Sequence, residues 1–218
     1  MIQSIDTINL NSISSQGFGG SKNYRSQKAS HMRIMEKIGT PVGSYAPDFE
    51  LLGIDDKVHH LSRYLERWNV VGVVFIGNNC SYVSSYLDRL KQIQAEFRNK
   101  GFTMIGINAH DANQYPEQSF QNMKKFASEK KLNFPYLWDS AQDVAQSFGA
   151  EKTPEAFLID RMGIVRYRGR IDDNALESVV VQVSYLKNAI AALLVGEEVS
   201  PKSTEPIGTP IEWRKGSR

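Results

Sequence analysis

Val70-Val71-Gly72-Val73-Val74-Phe75-Ile76-Gly77-Asn78-Asn79-Cys80-Ser81-Tyr82-Val83 joins an apolar, β-branched run to a short polar turn. That turn carries the only cysteine of a 218-residue chain. A continuous run of this kind predicts a strand buried on both faces, over 70–76. From the cysteine on, the period changes. Tyr82, Val83, Tyr86, Leu87, Leu90, Ile93 and Phe97 fall on one face of a helix that runs through Lys100 and stops at Gly101. Cys80 is therefore expected where a buried strand ends and a helix begins. Unpaired N–H groups and the positive dipole end stabilise an anion there. A thiol at such a place is present more as thiolate, its nucleophilic form.

The chain after this unit repeats the pattern. Residues 102–108 predict a second buried strand, and 119–130 a helix carrying Phe120, Met123 and Phe126. Residues 134–139 are extended, and Ser140 is expected to cap a helix over 141–148. Thr153-Pro154 leads into a strand at 156–160, Arg161-Met162-Gly163 reads as a hairpin turn, and 164–170 as the return strand. Arg166, Arg168 and Arg170 alternate on that strand and predict a solvated face. A last helix is expected over 181–194, ended by Gly196. Upstream, 43–52 reads as an extended entry with a strand at 58–61, and Ser62 as the cap of a short helix through Trp68. Strand, helix, strand begins as a βαβ unit, which favours parallel pairing. The later hairpin adds antiparallel strands. The fold class is α/β, a mixed central sheet with helices on both faces.

Composition narrows the function. Charged residues make up 23% and the net charge is +2, so no strong field points to nucleic acid or an anionic membrane. No apolar run reaches the length of a membrane span. One cysteine excludes an internal disulfide and a cysteine-rich metal site, and the four histidines show no ligand spacing. No metal and no cofactor are expected. The domain is expected at 39–196, with a polar N-terminal arm at 1–38 and a tail at 197–218 that Trp213 ties back. The arm is rich in Ser, Asn, Gln and Gly, too polar to order itself, and is expected to meet a protein partner. The compartment expected is the cytoplasm, or an organelle if the arm is a transit peptide.

The segment from Gly43 to about Gly196, with Trp213, resembles the redoxins: thioredoxin-like proteins related to the alkyl hydroperoxide reductase/thiol-specific antioxidant group. The residues that carry this are Ala46-Pro47-Asp48-Phe49, Asn79-Cys80 with Tyr82-Val83, Tyr115-Pro116-Glu117, Phe134-Pro135-Tyr136-Leu137, Thr153-Pro154 and Tyr167-Arg168-Gly169-Arg170-Ile171-Asp172-Asp173. The resemblance implies a thioredoxin fold, with Cys80 as the catalytic thiol. It also implies a cis Thr153-Pro154 bond facing that thiol, with both residues on the substrate. It shows departures too. The first cysteine of C-x-x-C is Gly77, and two further family cysteine places hold Lys152 and Thr209. Peroxiredoxins, which this branch resembles, set a threonine and an arginine over the peroxide. Gly77 cannot replace the threonine, and the nearest candidate cations are Lys152 and Arg170.

Two readings follow. One is a thiol redox or antioxidant protein, an oxidoreductase by family, with Cys80 acting alone on peroxide or glutathione. The other is a redox-silent thioredoxin-fold module attached to a larger assembly through its arm and tail.

Overall fold

The structure, a computed structural model, describes residues 39–215. The arm at 1–38 lies outside the described residues. At the centre is β3 (Val70–Phe75), buried along its whole length. It pairs in parallel with β4 (Phe102–Asn108) on one side and antiparallel with β7 (Glu155–Asp160) on the other. β7 continues antiparallel into β8 (Val165–Gly169), and β4 continues in parallel into β5 (Tyr136–Trp138). Antiparallel β1 (Glu50–Gly53) and β2 (Val58–His60) complete a seven-stranded sheet of order β2-β1-β5-β4-β3-β7-β8. This is an α/β thioredoxin fold with a mixed central sheet.

Alternation along β3 builds two cores. Val70 and Val74 face α2 (Ser81–Phe97), α3 (Phe120–Glu129) and α5 (Tyr185–Leu194), through Val83, Leu87, Met123 and Ile190. Val71, Val73 and Phe75 face the other way, towards α1 (Leu61–Leu65) and α4 (Asp143–Phe148), through Leu61 and Phe148. A strand with no polar face is stable only between two such layers.

Four expectations change. α4 begins at Asp143, and Ser140 does not cap it: Asp139, 1% exposed, accepts the Ala145 N–H on Oδ2 at 2.8 Å. α1 begins at Leu61 and ends by Leu65, so Ser62 lies inside it, and the Ser62 N–H is received by Asp48 Oδ1 at 3.3 Å. The last helix starts at Tyr185 rather than Val181. Arg168 leaves the solvated face. Its Nη2 reaches Oε1 of the fully buried Glu155 at 3.0 Å, and its guanidinium lies over the Phe157 ring. Burial pushes the Glu155 carboxyl above its ordinary range, and Arg168 opposes that shift.

The segment after Gly196 belongs to the core. β9 (Thr209–Pro210) pairs antiparallel with β6 (Lys152–Thr153). Ile211 is 3% exposed within the second core, and Trp213 packs beside it, half-buried. Among the described residues no helix is long and apolar enough to cross a membrane.

Candidate functional site

The site forms where β3 and β4 end at the same edge of the sheet. β3 delivers the turn 77–80, and parallel β4 delivers Asn108, Ala109 and His110. The turn is held from several sides. The Asn78 backbone N–H donates to Gln118 Oε1 at 2.9 Å, and its side-chain Nδ2 donates to the Glu117 carbonyl at 2.7 Å. Tyr136 O–H donates to Asn78 Oδ1 at 2.9 Å, and full burial pushes that phenol well above its usual range.

Cys80 is the N-cap of α2, and the Val83 N–H donates to its Sγ at 3.4 Å. The helix start expected from the sequence therefore does point at the sulfur. Two acceptors lie on the other side: the Thr153 carbonyl at 3.3 Å and Thr209 Oγ1 at 3.1 Å. One thiol proton serves either of them. The Thr153–Pro154 bond is cis. Cys80, Thr153 and Pro154 thus meet, and the sulfur's residue is only 4% exposed, beneath β9.

His110, 4% exposed, completes the cluster and was not singled out by sequence reasoning. Its Nδ1 accepts the Glu212 N–H at 3.2 Å, which leaves the ring proton on Nε2, 3.2 Å from Thr153 Oγ1. Burial lowers its pKa from 6.5 to about 4, against smaller opposite pulls from Glu212 and Glu117. The ring is therefore neutral at pH 7. It also fills the space beside Gly77: a Cβ on Gly77 would lie 2.7 Å from Nε2. The available signal was positional, a polar residue just past the end of a strand parallel to the one that carries Cys80.

The cations named from the sequence turn elsewhere. Lys152 Nζ donates to the Pro206 carbonyl at 3.0 Å, and Arg170 Nε to the Glu205 carbonyl at 2.8 Å. Both hold the C-terminal segment. Thr209, a family cysteine place by resemblance, does stand on the sulfur. Among the described residues no group of three or more His, Cys, Asp or Glu is gathered as for a metal ion.

The chain is similar to known proteins in sequence and in fold. The chain is 28% identical over 131 residues to thiol-disulfide oxidoreductase ResA of Geobacillus thermodenitrificans, covering 60% of this chain and 70% of that one. It is 20% identical over 190 residues to a 1-Cys peroxiredoxin of Medicago truncatula, covering 82% and 81%. The crystal structure of an uncharacterized conserved protein from Geobacillus kaustophilus superposes with a TM-score of 0.77 at 34% identity, over 83% of this chain and 96% of that one. The family model for the AhpC/TSA family matches residues 42–168, more than half of the sequence. With the thioredoxin fold and a thiol facing a cis Thr-Pro bond, that match makes this chain a member of the AhpC/TSA family of thioredoxin-like redoxins.

Proposed function

We propose that this redoxin works through one thiol, Cys80, by exchange with a disulfide. The observation that carries the reading is the sulfur between the Val83 N–H and the Thr153 carbonyl, beside Thr153-Pro154. Cys80 attacks one sulfur of a disulfide R–S–S–R. Cys80–S–S–R forms, the old S–S bond breaks, and R–S⁻ leaves. Gly77 offers no second sulfur, so an external thiol must attack the mixed disulfide and restore Cys80. Thr153 and Pro154 line the side on which the disulfide approaches.

Peroxide is the less favoured substrate. Its reduction needs a cation or donors over the departing oxygen, and Lys152 and Arg170 are engaged with the carbonyls of Pro206 and Glu205. The relative named as a 1-Cys peroxiredoxin keeps peroxide worth testing. A second reading, the redox-silent binding module, is favoured by one observation: His110 fills the place of a side chain at Gly77.

Intact-mass measurement after mixing the full chain with glutathione disulfide, or with hydrogen peroxide, separates the three. The expected result is one glutathione added at Cys80, removed by dithiothreitol, and formed faster than any oxygen adduct. A faster oxygen adduct would favour the peroxidase. No adduct at Cys80 with either reagent would leave the binding module.

A further inference from the structure

The Cys80 sulfur has no open approach, yet what covers it is held unevenly. Residues 205–210 cross the thiol between two anchors. Upstream, the Arg168 N–H donates to the Lys202 carbonyl at 3.2 Å, and the Thr204 N–H to the Arg168 carbonyl at 3.0 Å. Downstream, the Ile211 N–H donates to the Glu151 carbonyl at 2.9 Å, and the Glu212 carbonyl receives the Asp111 N–H and Gln142 Nε2, each at 2.9 Å. Ile211 itself is buried in the core.

The span between these anchors has little backbone pairing, and side chains tie its carbonyls: Arg170 to Glu205, Lys152 to Pro206 and the Thr153 hydroxyl to Thr209. Its ladder is two residues long, Lys152 against Pro210 and Thr153 against Thr209, and Pro210 has no N–H to give. Pro206 is buried, Ile207, Gly208 and Thr209 are half-buried, and Pro210 is exposed. Short, partly solvated pairings of this kind open locally at less than the free energy of global unfolding. The close approach is possible because residue 208 is glycine. A Cβ there would lie 2.3 Å from the Thr153 carbonyl oxygen and 3.1 Å from Pro154 N.

We propose that residues 205–210 form a strap that closes the thiol site at rest and swings away from β6, on its two anchors, to admit a disulfide. This rests on the reading of Cys80 as a reactive thiol. Closed, the strap sets Thr209 Oγ1 against the sulfur, where an incoming sulfur would have to stand. Opened, it uncovers the sulfur and the Thr153–Pro154 backbone together.

The test uses the reduced full chain. It follows the rate of Cys80 alkylation by iodoacetamide, and hydrogen exchange over 205–210 and over β3. The wild type is expected to alkylate more slowly than free cysteine. Gly208→Ala, which pushes the strap off Thr153, is expected to raise the rate about tenfold and to speed exchange over 205–210, with β3 unchanged. Lys152→Ala, which loses the tie to the Pro206 carbonyl and the ion pair with Glu205, should move both readouts the same way by a smaller factor. Thr209→Val, which keeps the strand and removes the hydroxyl from the sulfur, should leave exchange over 205–210 within about twofold of wild type. A wild-type rate equal to free cysteine would overturn the strap. So would exchange over 205–210 in Thr209→Val as fast as in Gly208→Ala, or faster alkylation in Gly208→Ala and Lys152→Ala without faster exchange over 205–210. Alkylation reads access alone. If Gly208→Ala opens the site and glutathione disulfide still does not react, the strap stands and the redox reading fails.

Discussion

His110 ties the thiol site to the C-terminal segment through one proton. Nδ1 takes the Glu212 N–H, Nε2–H faces Thr153 Oγ1, and that hydroxyl in turn lies 3.4 Å from the Thr209 carbonyl. Protonating the ring would turn the Nδ1 acceptor into a donor aimed at another donor. The shift to about 4 says that the folded chain resists this, because burial penalises the charged imidazolium more than Glu212 and Glu117 stabilise it. The sign follows. Below the ordinary value of 6.5 the unfolded chain takes the proton and the folded chain does not, so stability is full above 6.5 and falls until about pH 4. The loss is roughly 3 kcal/mol across that window. Urea unfolding at pH 7.5 and 4.5 should therefore show wild type losing roughly 2–3 kcal/mol more than His110→Asn. Equal losses in both would dismiss His110 as the titrating group. Sequence alone gave no hint of this. Cys80, Thr153 and Pro154 were visible through their motif, whereas the role of His110 comes from two strands ending side by side and a C-terminal segment arriving from 102 residues away.

At the scale of elements, the β3–α2 turn shows why a dithiol site cannot be regained by one substitution. Gly77 carries no side chain, and His110 occupies the space one would need. Gly77→Cys alone should lower stability by about 1–3 kcal/mol under reducing conditions, the usual penalty of overpacking. Gly77→Cys with His110→Ser should recover most of it. Denaturant unfolding measures both, and a single variant as stable as wild type would show that the ring moves aside freely. The same scale explains which helix starts were legible. α2 was read correctly because its cap, Cys80, adjoins its apolar periodicity. α1 and α4 were read from the serines nearest their starts. Their N–H groups go instead to the carboxylates of Asp48 and Asp139, set 14 and 6 residues upstream. Burial holds the Asp139 carboxyl above its ordinary range, against the N–H groups that lower it. A cap supplied across a loop leaves no local signature, so propensity assigns it to the nearest candidate.

For the whole molecule, the sheet was legible because β3 and β4 are long, apolar and unbroken. The C-terminal segment was not. It is polar and proline-rich, its strand has two residues, and its apolar anchors are isolated, so it resembles a linker by composition. Yet Val199 is 4% exposed in the first core and Ile211 3% exposed in the second, so the segment reaches both layers. Ending the chain after Gly196 would uncover both cores and the thiol. Burial of one such side chain is worth about 1.5–3 kcal/mol, and the lost backbone ties to β6 and β8 add to the two. For a domain of this size, about 4–6 kcal/mol corresponds to a fall in Tm of roughly 10–20 °C. Thermal unfolding of the shortened chain beside the full one checks this. A Tm within a few degrees of the full chain would make the segment an appendage. A large fall means that the strand over Cys80 is held by the same contacts that hold the two layers together. Opening it for chemistry must then be local, between anchors that stay in place.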